Sequence, residues 1–126
     1  MAVAVTINFV DSTQNQFLVY GKLTLSGNYT THGDTVNLST FDQIKSNSPA
    51  NFMIASEDPA AGASASGFVM VLNPGTTLAN NNLQVFENGG GTSPIAAGPL
   101  AELPAGAYPA GLTGAVIKFV AHIPSL

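Results

Sequence analysis

The sequence predicts a single all-β domain over residues 1–126, a β-sandwich or jelly roll of about eight strands. Apolar and polar residues alternate in several segments of strand length, which is the period of a half-buried strand. No segment has the sustained 3.6-residue apolar spacing of a stable amphipathic helix. Gly and Pro, at 13 and 8 of the 126 residues, punctuate the chain at short intervals, as turns between strands require.

The N-terminal part of the chain contains the best hairpin candidate. Residues 3–10 and residues 17–25 both alternate, and the polar residues 11–16 between them are predicted to form the turn. Gly21 interrupts the second run, which indicates a bulge or a close neighbour. The first strand is expected to place four apolar side chains on one face: Val3, Val5, Ile7 and Phe9.

Further strands are predicted at residues 35–38, 51–56, 67–73, 82–88 and 115–123. The run at 67–73 is continuously apolar, which is typical of a strand buried on both faces. Residues 42–47 are expected to form one helical or 3₁₀ turn, since Pro49 prevents a longer helix. Three prolines prevent long regular structure in residues 95–111. The last strand is expected to place four side chains on its buried face: Ile117, Phe119, Ala121 and Ile123.

Charge and composition argue against several classes of function. The chain has three Lys, no Arg and a net charge of −4, so it lacks the clustered cations that phosphate binding needs, and no nucleic-acid partner is expected. It has no Cys, which excludes thiolate nucleophiles and Cys-bound zinc. No apolar stretch approaches the ~18 residues of a membrane helix, so no membrane partner is expected.

The low charge content indicates either a neutral, amide-rich surface or a surface that neighbouring proteins cover. Only 8% of the residues are charged, whereas about 25% is usual for a soluble domain. Large apolar exposure usually marks an interaction site. The composition therefore favours a subunit of a larger assembly.

The triplet His32-Gly33-Asp34 resembles part of a metal or acid–base site. A metal site needs three or four ligands, and the second His is far away in the sequence. We therefore favour a turn at Gly33, in which Asp34 binds local backbone amides.

Three other motifs also have simpler structural interpretations. Glu57-Asp58 would point to opposite faces of an extended chain rather than converge as a glycosidase pair. Residues 62–67 lack the helix and the paired His of a nucleophile elbow, and residues 89–91 lack the Lys of a phosphate loop. We predict no catalytic residues, no metal and no cofactor.

Four stretches carry a resemblance to a known group of proteins: residues 27–38, 82–86, 100–110 and 114–121. The first reads Gly-Asn-Tyr-Thr-Thr-His-Gly-Asp-Thr-Val-Asn-Leu, and the third reads Leu-Ala-Glu-Leu-Pro-Ala-Gly-Ala-Tyr-Pro-Ala. In order and pattern they resemble small virion proteins of tailed bacteriophages, the decoration or cement subunits of the head. The resemblance implies a structural β-sandwich, not an enzyme, on the surface of the phage head. Its implied partners are the major capsid protein and further copies of itself, with a trimer favoured.

The N-terminal strand and the Pro-rich segment are the expected contact regions. Residues 2–10 contain no Lys, Arg or Pro that would protect an edge strand from pairing with a neighbouring subunit. Pro limits the entropy lost on docking, and Tyr supplies rigid contact area. The simpler alternative is that both segments pack within their own subunit. The predicted interface residues are Val3, Val5, Tyr29, His32, Asp34, Tyr108 and Pro109.

Two other functions remain open at this stage. One is a different virion part, such as a tail, fibre or head-spike module. The other is a carbohydrate-binding β-sandwich, in which Tyr20, Tyr29 and Tyr108 would form a platform for stacking sugars.

Overall fold

The computed structural model describes residues 3–12, 15–44, 46, 48–57, 68–87 and 101–124, and its fold is all-β. Antiparallel strands in three sheets make up most of it, and the one helix of the described residues, α1, is four residues long. The elements are β1 (Val3–Ser12), β2 (Gln16–Leu25), β3 (Asn28–Tyr29), β4 (Asp34–Val36), β5 (Phe52–Glu57), β6 (Phe68–Asn73), β7 (Asn81–Glu87), β8 (Ala101–Glu102), β9 (Gly106–Ala107), α1 (Ala110–Thr113) and β10 (Ile117–Pro124).

The largest sheet, which we call the hairpin sheet, has the strand order β1-β2-β10-β5. The predicted hairpin is confirmed, because β1 pairs antiparallel with β2 from Val3 opposite Leu25 to Ser12 opposite Phe17. Strand β10 lies between β2 and β5 and pairs antiparallel with both. The hairpin sheet therefore ends in β1 on one side and β5 on the other.

The alternation predicted for the last strand is also confirmed. Ile117, Phe119, Ala121 and Ile123 are all at most 2% exposed, whereas the residues between them are exposed or half-buried. This parity fixes which face of the hairpin sheet packs on the core.

The predicted face of Phe9 is wrong. A bulge between Ile7 and Phe9 shifts the register, so that Ile7 pairs with Gly21 and Phe9 pairs with Tyr20. One extra residue in a strand moves the following side chains to the opposite face. Phe9 is consequently 58% exposed, and Val10 instead packs against the core.

The bulge explains the glycine in β2. A Cβ atom at Gly21 would lie 2.2 Å from the carbonyl oxygen of Thr6 and 2.7 Å from the Phe119 ring. Real Cβ atoms do not come so close to a backbone oxygen, so only glycine fits here. The expected close neighbour is confirmed, whereas the bulge lies opposite Gly21 in the partner strand β1.

The remaining strands form two smaller sheets. Strands β4, β7 and β6 pair in that order, β8 pairs with β7, and β3 pairs with β9. The prediction of a strand buried on both faces at 67–73 is wrong for β6, because Val69 and Val71 are 43% and 38% exposed while Leu72 is buried. Residue 67 lies outside the described residues.

One continuous core joins the elements. Its buried side chains come from the hairpin sheet, such as Val19 and Leu23, and from the β4-β7-β6 sheet, such as Val36 and Leu83. Fully buried Asn81 accepts from the Gly75 amide and donates to two carbonyl oxygens, so its polar groups are paired.

The predicted turn at 42–47 is found in part. The Ile44 amide donates to the carbonyl of Phe41 at 3.1 Å, the i→i+3 spacing of a 3₁₀ turn, and residues 45 and 47 lie outside the described residues. The turn-rich segment 26–34 contains the short strand β3.

Candidate functional site

The His32-Gly33-Asp34 triplet forms a tight turn between β3 and β4. The Gly33 amide donates to the carbonyl of Thr30 at 2.8 Å, and Asp34 accepts from the Thr30 amide at 3.2 Å. His32 and Gly33 have φ values of 73° and 113°, in the left-handed region. The predicted turn, with Asp34 bound to a local amide, is confirmed.

Glu102 lies beneath this turn and joins it to β3. Its Oε2 atom accepts from the Tyr29 hydroxyl and from the His32 amide, both at 2.6 Å. The His32 ring is 85% exposed, and its Nδ1 atom is 3.8 Å from Glu102 Oε1. That distance is too long for a hydrogen bond, so the ring is not held as a general base. The sequence alone did not indicate Glu102 as a partner of this turn, because some seventy positions separate it from His32.

A second tyrosine–carboxylate pair lies next to the first. The Tyr108 hydroxyl donates to Asp34 Oδ2, and the rings of Tyr108 and Tyr29 meet edge to face with centroids 5.7 Å apart. The Tyr29 hydroxyl also accepts from the Val85 amide at 3.3 Å. The two pairs connect β3, β4, β7 and β8 with the segment that follows β9.

Burial determines the protonation of this cluster. Burial, and then the hydrogen bond to Glu102, raise the pKa of Tyr29 to about 12. Burial and the bond to Asp34 likewise raise the pKa of Tyr108. The hydrogen bond from Tyr29 lowers the pKa of Glu102. Both phenols therefore stay protonated at neutral pH and donate to the two carboxyl groups.

Three of the four members of the cluster are buried in the subunit. Tyr29, Asp34 and Tyr108 are 1%, 7% and 5% exposed, so a substrate does not reach their polar atoms. The described residues contain no group of three or more His, Cys, Asp or Glu that could hold a metal ion. Charged hydrogen bonds in a dry setting instead give the loop a single conformation.

Burial also revises the predicted interface. Four of its seven members have side chains inside the subunit: Val3, Tyr29, Asp34 and Tyr108. Their side chains are therefore not accessible for direct contact with a partner. His32 is exposed, and Val5 and Pro109 are half-buried, so an interface role for these three stays a prediction. The sugar-stacking platform is contradicted, because two of its three tyrosines are buried.

The ten-residue strand β1 lies at one edge of the hairpin sheet. Among the described residues β1 pairs only with β2, so no described strand covers its other edge. A depression of about 340 Å³ lies beside its first half, between Val5 and Phe41, and one of about 630 Å³ lies beside its second half, around Phe17 and Gln43. The residues that line them include no charged side chain, so they offer apolar contact rather than acid–base chemistry.

Of the other sequence motifs, only Glu57 lies among the described residues. Glu57 ends β5 and pairs with Ile117 across the ladder. Asp58, residues 62–67 and residues 89–91 lie outside the described residues. Among the described residues, no helix is long and apolar enough to span a membrane.

Comparison with known proteins gives no relative. No protein-family model, no curated protein and no solved structure matches the chain.

Proposed function

We propose that the protein is a non-enzymatic structural subunit that binds other proteins, and that it decorates the head of a tailed bacteriophage. The location on the head and the major capsid protein as partner come from the sequence resemblance. Two observations support the more general part: three of the four members of the described ionisable cluster, Tyr29, Asp34 and Tyr108, are buried, and no described strand pairs with the outer edge of β1. Stabilising a shell requires repeated protein contacts and no chemistry.

The observation that carries the proposal is the outer edge of β1. The strand is ten residues long, and residues 3–10 contain no Lys, Arg or Pro. Natural edge strands of this length are usually protected by such residues. An extended segment of a capsid protein that adds to β1 would gain backbone hydrogen bonds and place alternate side chains in the two depressions.

A two-layer sandwich is the architecture that we propose for this subunit. The hairpin sheet and the β4-β7-β6 sheet contribute to the same core, as the two layers of a sandwich do. In that arrangement the edge of β1 runs along the side of the sandwich and is open to a neighbour.

The test uses substitutions that disrupt pairing at the outer edge of β1 and leave the core side chains unchanged. Ala4→Lys adds a charge on exposed β1, and Thr24→Lys adds the same charge at the exposed position directly across on β2, inside the sheet. Binding of both variants is measured on heads of the phage whose genome encodes the chain. We expect Ala4→Lys to bind about tenfold more weakly than the wild type, or about 1.4 kcal/mol, and Thr24→Lys to bind normally. Equal binding of the two variants would exclude the edge, and no binding by the wild type would exclude the function.

A further inference from the structure

The hairpin sheet has a second face that points away from the core, which we call the outer face. Three rows of side chains cross it in the order β1, β2, β10, β5. The middle row is Phe9, Tyr20, Val120 and Ile54. The row on one side is Asp11, Leu18, His122 and Phe52, and the row on the other side is Thr6, Lys22, Lys118 and Ser56.

The middle row and the Asp11 row form an apolar patch with a single charge. Phe9, Phe52 and Ile54 are 58%, 46% and 60% exposed, and Tyr20 is 37% exposed. Four of the six large hydrophobic side chains that are exposed among the described residues thus lie on this one face. Single exposed apolar residues need no explanation, but a contiguous patch marks an interaction surface.

Contacts within the face already hold its aromatic side chains. The rings of Phe9 and Tyr20 lie 5.7 Å apart, and His122 stacks on Phe52 at 5.5 Å with nearly parallel planes. The Asn51 amide lies 3.0 Å from His122 Nδ1, and Gln16 contacts the other ring nitrogen. A face whose side chains are ordered before binding loses less entropy when it is covered.

The charges on the face are arranged asymmetrically. Lys22 and Lys118, two of the three cations in the chain, lie directly across from each other. Asp11 lies two rows away, on the far side of the middle row. Among the described residues, neither Asp11 nor Lys22 forms an ion pair within the subunit. The face thus carries a net charge of +1 on a chain of net charge −4.

We infer that the outer face binds the outer face of a second copy of this chain. The two copies are related by a twofold axis that runs along the middle row, so that this row packs on its own copy. The rotation reverses the strand direction, which brings the lysine row of each copy over the Asp11 row of the other. Lys22 then lies one strand away from the partner's Asp11 and can pair with it, and the same pair forms twice by symmetry.

The charges select this axis over the alternative. A twofold axis along the strands would place the Lys22 of each copy over the partner's Lys118, which brings four cations together. Like charges that face each other in an interface are strongly unfavourable.

The area of the face is sufficient for a reversible dimer. Four strands of about eight residues form a rectangle of about 19 Å by 27 Å, or about 500 Å² on each copy. Two copies would bury about 1,000 Å² in total, at the lower limit for a specific interface. We therefore expect a dissociation constant on the order of micromolar. Face-to-face packing leaves the outer edge of β1 open, so dimerisation and capsid binding are separate properties.

The first test is sedimentation velocity of the purified chain over a range of concentrations. We expect the apparent mass to rise with concentration from 12.8 kDa, the mass of one chain, to twice that value. Ile54→Glu places a charge in the patch and should weaken the dimer at least about tenfold. Val69→Glu makes the same kind of change at an exposed position of β6 and should leave the dimer intact.

Charge reversal tests the axis. Asp11→Lys and Lys22→Asp should each weaken the dimer. The double variant should restore it, because both pairs between the copies form again with the charges exchanged. A chain that stays monomeric at every concentration, or that forms the trimer favoured by the sequence resemblance, would overturn the inference. Equal loss in Ile54→Glu and Val69→Glu, or single variants that the double variant does not rescue, would also overturn it. None of these results depends on binding to a phage head.

Discussion

The hydroxyl of Tyr108 should be one of the most valuable polar groups in the subunit. It donates to the buried Asp34 carboxylate, whose other bond comes from the Thr30 amide. Tyr108→Phe keeps the ring and its edge contact with Tyr29 but leaves one carboxylate oxygen unpaired. Hydrogen bonds to charged groups contribute about 1.5–3 kcal/mol, and both partners here are at most 7% exposed. We expect a loss of about 2 kcal/mol in the free energy of unfolding.

Urea unfolding followed by circular dichroism measures this loss, with the slope of the transition checked for two-state behaviour. Tyr20→Phe is the matched control, because Tyr20 is 37% exposed on the outer face; its loss should stay below about 0.5 kcal/mol. If Tyr108→Phe also costs less than about 0.5 kcal/mol, the buried pair does not stabilise the loop as described.

Three further predictions concern the same fold. Because the pKa of Tyr29 is raised from 10.0 to about 12, stability should fall as pH rises through that range, and urea titrations of Tyr29→Phe should show a smaller fall. The lowered pKa of Glu102 predicts that stability is lost as pH falls below about 4.5, and Glu102→Gln should flatten this acid limb. Gly21→Ala should cost at least about 2 kcal/mol in thermal unfolding, since its Cβ would overlap the Thr6 carbonyl; an unchanged melting temperature would contradict the bulge geometry.

The strand pattern was predictable wherever one face of a strand is buried along its whole length. The alternation in β2 and β10 predicted the buried faces of both strands, because parity alone decides which residues meet the core. The face of Phe9 was not predictable, because a bulge has no reliable signal in its own strand. The only sequence signal of the bulge was Gly21, which lies on the opposite strand β2. For β6 the apolar run was misleading, because Val69 and Val71 are exposed apolar residues.

The candidate sites were only partly predictable, for a different reason. The turn at His32-Gly33-Asp34 is local, so its residues indicated it directly. The tyrosine–carboxylate cluster depends on Glu102, which reaches the turn only through the pairing of β8 with β7. The outer face combines positions from four strands, and its charge pattern becomes visible only when their register is known.

Cryo-microscopy of the phage heads that we propose carry this chain tests the central claim most directly. We expect density for the subunit at regular positions on the outside of the shell, with the outer edge of β1 against an extended segment of the capsid protein. Heads that carry the subunit with β1 facing solvent would contradict the role of the edge. Particles that lack the subunit altogether would contradict the proposed function.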